Sequence, residues 1–350
     1  GPAGCGKSRL ASWLGERAEE ELGAVRIKAE YGPLPGAEDG ILPSINRHWL
    51  LEEEQFEGRT SAERYTQIVD RLQFFCQFDR PEDGLRPVIL WLDNLQWGLD
   101  GIAFVQHLMA RREEVGLPVL VIMTSRRESL AKERVIRALV DELMTRDGFA
   151  SLPVESLPEE HRSTLIRELL GLEASLAAEV ERRTGGIPHF TFQLVEDWVE
   201  RGLLESSKAG FRLKQGAKAE LPDDLYSVWM GRIERVLEDL PTGDSVALEM
   251  GAMMGHRVQC AEWRETCYKA ACPPSPDFVP VLQTAGVIEV ALDGESWSFA
   301  NAMVAECLVR LAKENGRWVY QNRICAEILE EASGPLNAER RGLHLLAAEE

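Results

Sequence analysis

The sequence predicts an α/β chain: a doubly wound parallel sheet, followed by a helical lid subdomain, a winged-helix-like α+β domain and a helical C-terminus. Three observations predict it. The chain opens on the glycine-rich stretch Gly1-Pro2-Ala3-Gly4-Cys5-Gly6-Lys7-Ser8, which runs straight into a helical pattern. Short apolar runs then alternate with helical stretches as far as Leu152. Beyond Pro153 the strand signals fade and helical periodicity takes over.

The opening stretch matches G-x-x-x-x-G-K-[ST] at every position. Glycines let backbone N–H groups turn inward around phosphate oxygens, and the positive dipole end of the following helix points at them. Gly1, Pro2, Ala3, Gly4, Cys5 and Gly6 form this cradle, with Cys5 where a small residue fits. Lys7 is expected to reach the β- and γ-phosphates of a nucleotide, and the Ser8 hydroxyl to ligate Mg²⁺. The sheet is therefore expected to be a P-loop NTPase sheet, with ATP and Mg²⁺ as cofactors. The helix is expected over Ser8–Leu22, with Leu10, Ala11 and Leu14 facing inward. A strand normally precedes such a loop, so one is expected before Gly1, and the chain reads as a piece of a longer polypeptide.

Val88–Leu92 is a continuous apolar run, as a buried parallel strand requires, and Asp93 stands at its C-terminal end. A carboxylate there suits a nucleotide-bound Mg²⁺. The second run, Val119–Met123, ends in Thr124-Ser125-Arg126. Arg126 is either a γ-phosphate sensor or a solvated member of the Arg126-Arg127-Glu128 cluster. Ala24–Ala29 and Phe149–Leu152 read as further strands, and Ala62–Phe78 and Ile102–Val115 as helices between strands. Trp91 and Trp97 read as core residues flanking Asp93.

The lid is expected to hold helices over Pro158–Leu170, Leu176–Arg183 (with Ser175 as N-cap) and Phe190–Arg201. One of Arg162, Arg167, Arg182 and Arg183 is available to contact phosphate, and the sequence does not choose among them. His189 is either a nucleotide contact or a surface residue. Several helices and one hairpin, Val287–Phe299 turning at Asp293-Gly294, suit a winged helix between Leu221 and Val309. That stretch lacks a basic recognition helix, which favours a packing or switching role over DNA binding. Trp318–Glu350 reads as a helical hairpin joined at Ser333-Gly334-Pro335. The expected domains are thus 1–155, 156–220, 221–313 and 314–350.

The order of these motifs resembles the signal-transduction P-loop ATPases of the STAND class, the AAA-like modules of large bacterial regulators. Leu92-Asp93-Asn94-Leu95-Gln96-Trp97 resembles that class's L-D-D-L-Q-W segment, and Thr124-Ser125-Arg126 its T-x-R sensor strand. Thr184-Gly185-Gly186-Ile187-Pro188-His189-Phe190 resembles the Gly-x-Pro segment, which implies that Pro188 lies against the adenine. Leu221-Pro222-Asp223-Asp224-Leu225 with Gly231-Arg232-Ile233 is similar to the helix entering the winged helix, and Ser298–Val304 to the segment closing it. The resemblance implies a switch fused to or partnered with a kinase, cyclase or DNA-binding domain, with nucleotide-dependent self-association. Three departures stand out. Asn94 replaces a second acidic residue and can hold a water but not take its proton, which implies slow hydrolysis. The aspartate of W-A-D is displaced by one residue, to Asp100, and Asn301 replaces a histidine.

Composition narrows the partners. Of 350 residues, 58 are acidic and 39 basic, a formal net charge of −19, and no dense Lys/Arg tract is present. Nucleic acid and anionic membrane are therefore expected not to be direct partners. No apolar run approaches a membrane span of about 18 residues. Seven cysteines without CxxC spacing suggest a reducing, cytoplasmic setting rather than a disulfide framework or zinc site. Besides the ATP switch, two readings stay open: a small-molecule kinase, which shares the loop, and a scaffold that binds nucleotide without hydrolysing it.

Overall fold

The structure, a computed structural model, describes residues 1–34, 36, 40, 41, 43–45, 60–77, 84–111, 116–215, 225–238, 240–300, 302–331 and 335–349. Residues 221–224 of the expected winged-helix entry, Asn301, Ser333 and Gly334 lie outside the described residues. Contacts group the chain into two compact units, residues 1–7 with 151–235 and residues 8–150 with 236–350. The four consecutive segments expected from the sequence are thus interleaved. The first seven residues go with the later segment because their backbone groups bond to it, as described below.

In the second unit, strands β1 (Val25–Glu30), β2 (Val88–Asp93) and β3 (Val119–Met123) form a parallel sheet in the order β1-β2-β3. The registers run Glu30 to Asp93 and Leu92 to Met123. The middle strand is buried at every position, which is why its sequence is an unbroken apolar run. Strand β3 is only partly covered, and Leu120 is 50% exposed. Ile68 and Leu72 of the helix Ser61–Gln77 and Phe104 and Val105 of the helix Leu99–Ala110 join Ile27, Leu90 and Leu92 in one core.

The helix after the loop spans Lys7–Leu22, but its buried positions are Ala11 and Gly15. Leu10 and Leu14, expected inward, are 42% and 40% exposed. The helix turns its small residues to the protein: a Cβ at Gly15 would lie 2.4 Å from the Arg26 side chain, which packs closely over that glycine. Phe149–Leu152 is not a strand either, because it pairs with no strand among the described residues.

The later part of this unit adds an antiparallel sheet of β6 (Arg257–Gln259), β7 (Ile288–Val290) and β8 (Ser296–Phe299), in the order β6-β8-β7. The hairpin turns near Asp293-Gly294, where Gly294 takes φ 72° and a bare backbone suits the left-handed region. Trp263, Phe278, Trp297 and Phe299 stack at centroid separations of 5.0 to 5.5 Å beneath it. Gly251 lets the helix Thr242–Met253 approach this cluster, since a Cβ there would sit 2.5 Å from the Trp297 ring. Glu249 on the same helix is fully buried and accepts from Arg317 Nε and Gln321 Nε2, each at 2.8 Å. The helices Trp318–Glu331 and Pro335–Ala347 pack against each other.

In the first unit, residues 159–169 form a helix whose second half widens to π geometry, followed by helices Ala174–Thr184 and Pro188–Glu200. Ser175 falls inside its helix; Glu173 occupies the cap without a side-chain bond. The helix Leu225–Glu238 joins this unit through Arg232, which bonds Glu196 at 3.2 Å and Glu200 at 2.6 Å. A hairpin, β4 (Leu204–Ser207) with β5 (Gly210–Leu213), stands where only helix was expected. Its strands are short, polar and half-exposed, so they lack the apolar alternation that marks a strand. No helix among the described residues is long and apolar enough to cross a membrane.

Candidate functional site

The glycine-rich loop belongs to the first unit, and its glycines are used in two ways. Gly4 at φ 74° and Gly6 at φ 97° occupy the left-handed region that side chains resist. Gly1 is needed for proximity instead: a Cβ there would lie 1.6 Å from the Val154 carbonyl oxygen. Cys5 is buried, with Sγ 3.0 Å from the Pro2 carbonyl and 3.1 Å from that of Val154, so it fills the loop as a small apolar residue. Lys7 Nζ donates to the carbonyls of Gly1 at 3.0 Å and Pro2 at 2.6 Å. Its ammonium is therefore held over the loop by the loop itself.

The Gly-x-Pro segment comes to the same place. His189 N–H donates to the Gly4 carbonyl at 3.1 Å, and Leu157 N–H to that of Gly186 at 2.8 Å. Pro188 begins the helix Pro188–Glu200, where a residue without an N–H costs nothing. The sequence treated His189 as a side-chain question; its backbone is what reaches the loop. Of the four lid arginines, Arg162 donates Nε to the Leu157 carbonyl and Arg182 pairs with the exposed Glu179.

The second unit holds the rest of the predicted residues. Beyond the sheet proper, Tyr31 N–H bonds the Asp93 carbonyl at 3.2 Å, Thr124 N–H that of Leu92 at 2.9 Å, and Leu95 N–H that of Thr124 at 2.8 Å. These bonds hold the three strand tips together. Asp93 is buried, and its Oδ1 accepts the Ser8 hydroxyl at 3.0 Å and the Thr124 hydroxyl in a short bond. On its other side, Lys28 Nζ lies 3.7 Å from Oδ2 and 4.6 Å above the Trp91 ring, its partner in register. The Asp93 carboxylate and the Ser8 and Thr124 hydroxyls bring hard oxygens together, the donor type that Mg²⁺ takes, while Lys28 competes for the same carboxylate.

Asn94 takes φ 59° and ψ 44°, a left-handed conformation that asparagine tolerates better than most residues. The fully buried Gln96 stands behind it, with Nε2 3.5 Å from Asn94 Oδ1 and Oε1 accepting the Arg126 N–H at 3.2 Å. Arg126 is not the solvated residue that its charged neighbours suggested. Its guanidinium forms a short ion pair with Glu306 on the helix Ala302–Glu314 and lies 5.5 Å above the Trp97 ring. Burial weakens the acidity of Glu306, an effect that Arg126 partly offsets.

A second ionic link ends on β1. His256 Nε2 lies 3.5 Å from Glu30 Oε1, while Lys28 bonds Glu30 Oε2 at 2.7 Å. Burial pushes the Glu30 carboxyl up, but His256 and Lys28 outweigh it and hold the group below its usual range. Sequence reasoning missed Lys28, Gln96, Glu306 and His256. The alternation in Val25–Glu30 does put Lys28 and Glu30 on one face; the other contacts join segments far apart in the chain and left no local signal.

Asp100, the displaced aspartate, lies away from these groups at the start of the helix Leu99–Ala110. It is walled in by Tyr31, Gly40 and Ile41, and burial pushes its carboxyl up to about 6. It borders a cavity of about 570 Å³ that is also lined by Trp97, Lys313, Trp318 and Glu339.

No protein-family model and no curated protein matches this chain. Among solved structures, the Aeropyrum pernix Orc1 protein in complex with DNA is similar over 90% of this chain and 87% of its own, at 15% identity and TM-score 0.39. The Thermotoga maritima RuvB A156S mutant is similar over 89% of this chain and 92% of its own, at 13% identity and TM-score 0.25. Against the expectation that nucleic acid is not a direct partner, the first of these similar chains is itself in complex with DNA. That expectation rested on a net charge of −19 and on the lack of a dense Lys/Arg tract in sequence, and neither excludes basic residues brought together by folding.

Proposed function

We propose that this chain is an ATP-binding P-loop module acting as a regulatory switch in a larger signalling protein, with slow hydrolysis. The observation that carries the reading is the bond from Ser8, last residue of the glycine-rich motif, to Asp93, 85 residues later at the strand tip. It joins the two residues whose oxygens would hold Mg²⁺, which when bound offsets negative charge between the phosphates. Gly1–Gly6 would cradle the phosphates through backbone N–H groups, and Lys7 would exchange its loop carbonyls for β- and γ-phosphate oxygens. Pro188, next to the residue whose amide holds Gly4, would lie against the base.

The STAND assignment and the switch role rest on the motif order. The winged-helix reading of the later segment is supported by its element order, helix, strand, two helices and a hairpin, with the sheet order β6-β8-β7. Output from a fused kinase, cyclase or DNA-binding domain belongs to the same proposal. A non-hydrolysing scaffold is the second reading, favoured by Asn94, whose amide offers no base.

The test is titration with labelled ATP. Lys7→Ala removes a charge-assisted contact of roughly 1.5–3 kcal/mol, so affinity should fall about tenfold or more. Unchanged affinity would remove Gly1–Ser8 from the nucleotide site.

A further inference from the structure

Arg126 stands at the end of β3, two residues past Thr124, whose hydroxyl bonds the Asp93 carboxylate. A cation at that tip has one obvious nucleotide partner, the γ-phosphate. Its guanidinium is already engaged, however, by a carboxylate from 180 residues later in the chain. Glu306 lies in the second turn of the helix Ala302–Glu314, with Arg126 12% and Glu306 25% exposed at the side chain. A pair sheltered to this degree is only weakly screened by water and salt, so the Glu306 carboxylate offsets the charge of the guanidinium and repels a second anion brought to it. The backbone of Arg126 is meanwhile held by Gln96, so the guanidinium can change partners without the strand tip moving.

We propose that Glu306 is an internal rival of the γ-phosphate for Arg126 and thereby sets the preference of this module for ATP over ADP. ADP binding leaves the Arg126–Glu306 pair intact. ATP binding draws Arg126 from Glu306 and so removes one ion pair between the helix Ala302–Glu314 and the tip of β3. The link between His256 and Glu30 is a second tie between the later segment and the strand tips. Breaking the Glu306 pair therefore loosens one tie while the His256 contact stays, a graded response rather than a full detachment. The inference rests on the nucleotide reading above and assigns to that site its regulation.

The ratio of ATP to ADP affinity, measured on the full chain by titration with labelled nucleotides, tests it. Glu306→Gln removes the rival charge with little change of shape, and should tighten ATP binding about tenfold while leaving ADP within about twofold. The gain should vanish in the Arg126→Ala background, where no guanidinium remains to be contested. A residue with only a structural role would shift the melting temperature and both affinities together. Should Glu306→Gln fold poorly, Glu306→Asp keeps the charge but shortens its reach, and should shift the ratio in the same direction by a smaller factor. An unchanged ratio in both variants, or a gain that survives Arg126→Ala, overturns the proposal. The nucleotide reading fails separately, when Lys7→Ala binds ATP as the parent does.

Discussion

Replacing Asn94 by aspartate tests how this module handles its bound ATP. Asn94 follows Asp93 directly and takes the left-handed conformation at φ 59°. Most side chains resist that conformation by roughly 1–2 kcal/mol, but aspartate, like asparagine, relieves it with local hydrogen bonds. The exchange should therefore cost little fold stability. It trades an amide oxygen for a carboxylate at the same reach, and Gln96 Nε2, 3.5 Å from that oxygen, is placed to donate to the new charge. Lys28, 3.7 Å from Asp93, offsets part of the added repulsion between neighbouring carboxylates. A positioned general base contributes about 10²–10⁴ in rate. Some of this will be lost to imperfect alignment, so single-turnover hydrolysis should rise at least about tenfold, with ATP affinity within a few-fold of the parent. The assay is phosphate release from labelled ATP with protein in excess, beside the same measurement on Asn94→Glu, whose carboxylate reaches further. Phosphoryl transfer can also run on positioning and charge neutralisation with no strong base. Brisk hydrolysis by the parent, with no gain in either variant, would establish that route and refute the reasoning.

Asp93→Ala should cut the Mg²⁺ dependence of nucleotide binding and leave metal-free affinity largely intact; a variant keeping the parent's Mg²⁺ response would remove Asp93 from the metal. Asp100 gives a pH test away from the nucleotide. Its folded-state pKa of about 6 lies above the ordinary aspartate value of 3.8, so its contribution to stability is greatest below the lower value and is lost as pH rises through the higher one. Asp100→Asn should therefore gain on the parent by about 2 kcal/mol between roughly pH 4 and pH 7, at about 1.4 kcal/mol per pKa unit. Denaturant titrations at both pH values read this directly, and a pH-independent difference would show that burial does not hold the carboxyl up.

The glycine-rich loop and the two apolar runs were legible because local chemistry dictates them. A left-handed turn at Gly4 and Gly6 and a strand buried on both faces at Val88–Asp93 each need a particular residue pattern over a few positions. The same holds for Asp93, which any reader of strand ends would single out. The helix Lys7–Leu22 was legible in its length but not in its orientation. Leu10 and Leu14 look like an inner face, whereas the helix buries Ala11 and Gly15, the latter under the Arg26 side chain.

Local sequence thus determined the residues able to meet a phosphate and a metal ion, because turn geometry and strand burial act over a few neighbouring positions. Tertiary structure alone decided which of them are already engaged. The ties of Arg126 to Glu306 and of Glu30 to His256 each join residues about 180 or more positions apart, and the loop's bonds to Val154 and His189 group it with a distant segment. Such pairs form only when packing brings their segments together. An arginine whose neighbours in sequence leave a sensor and a solvated residue equally open is, for that reason, a sheltered one in the fold.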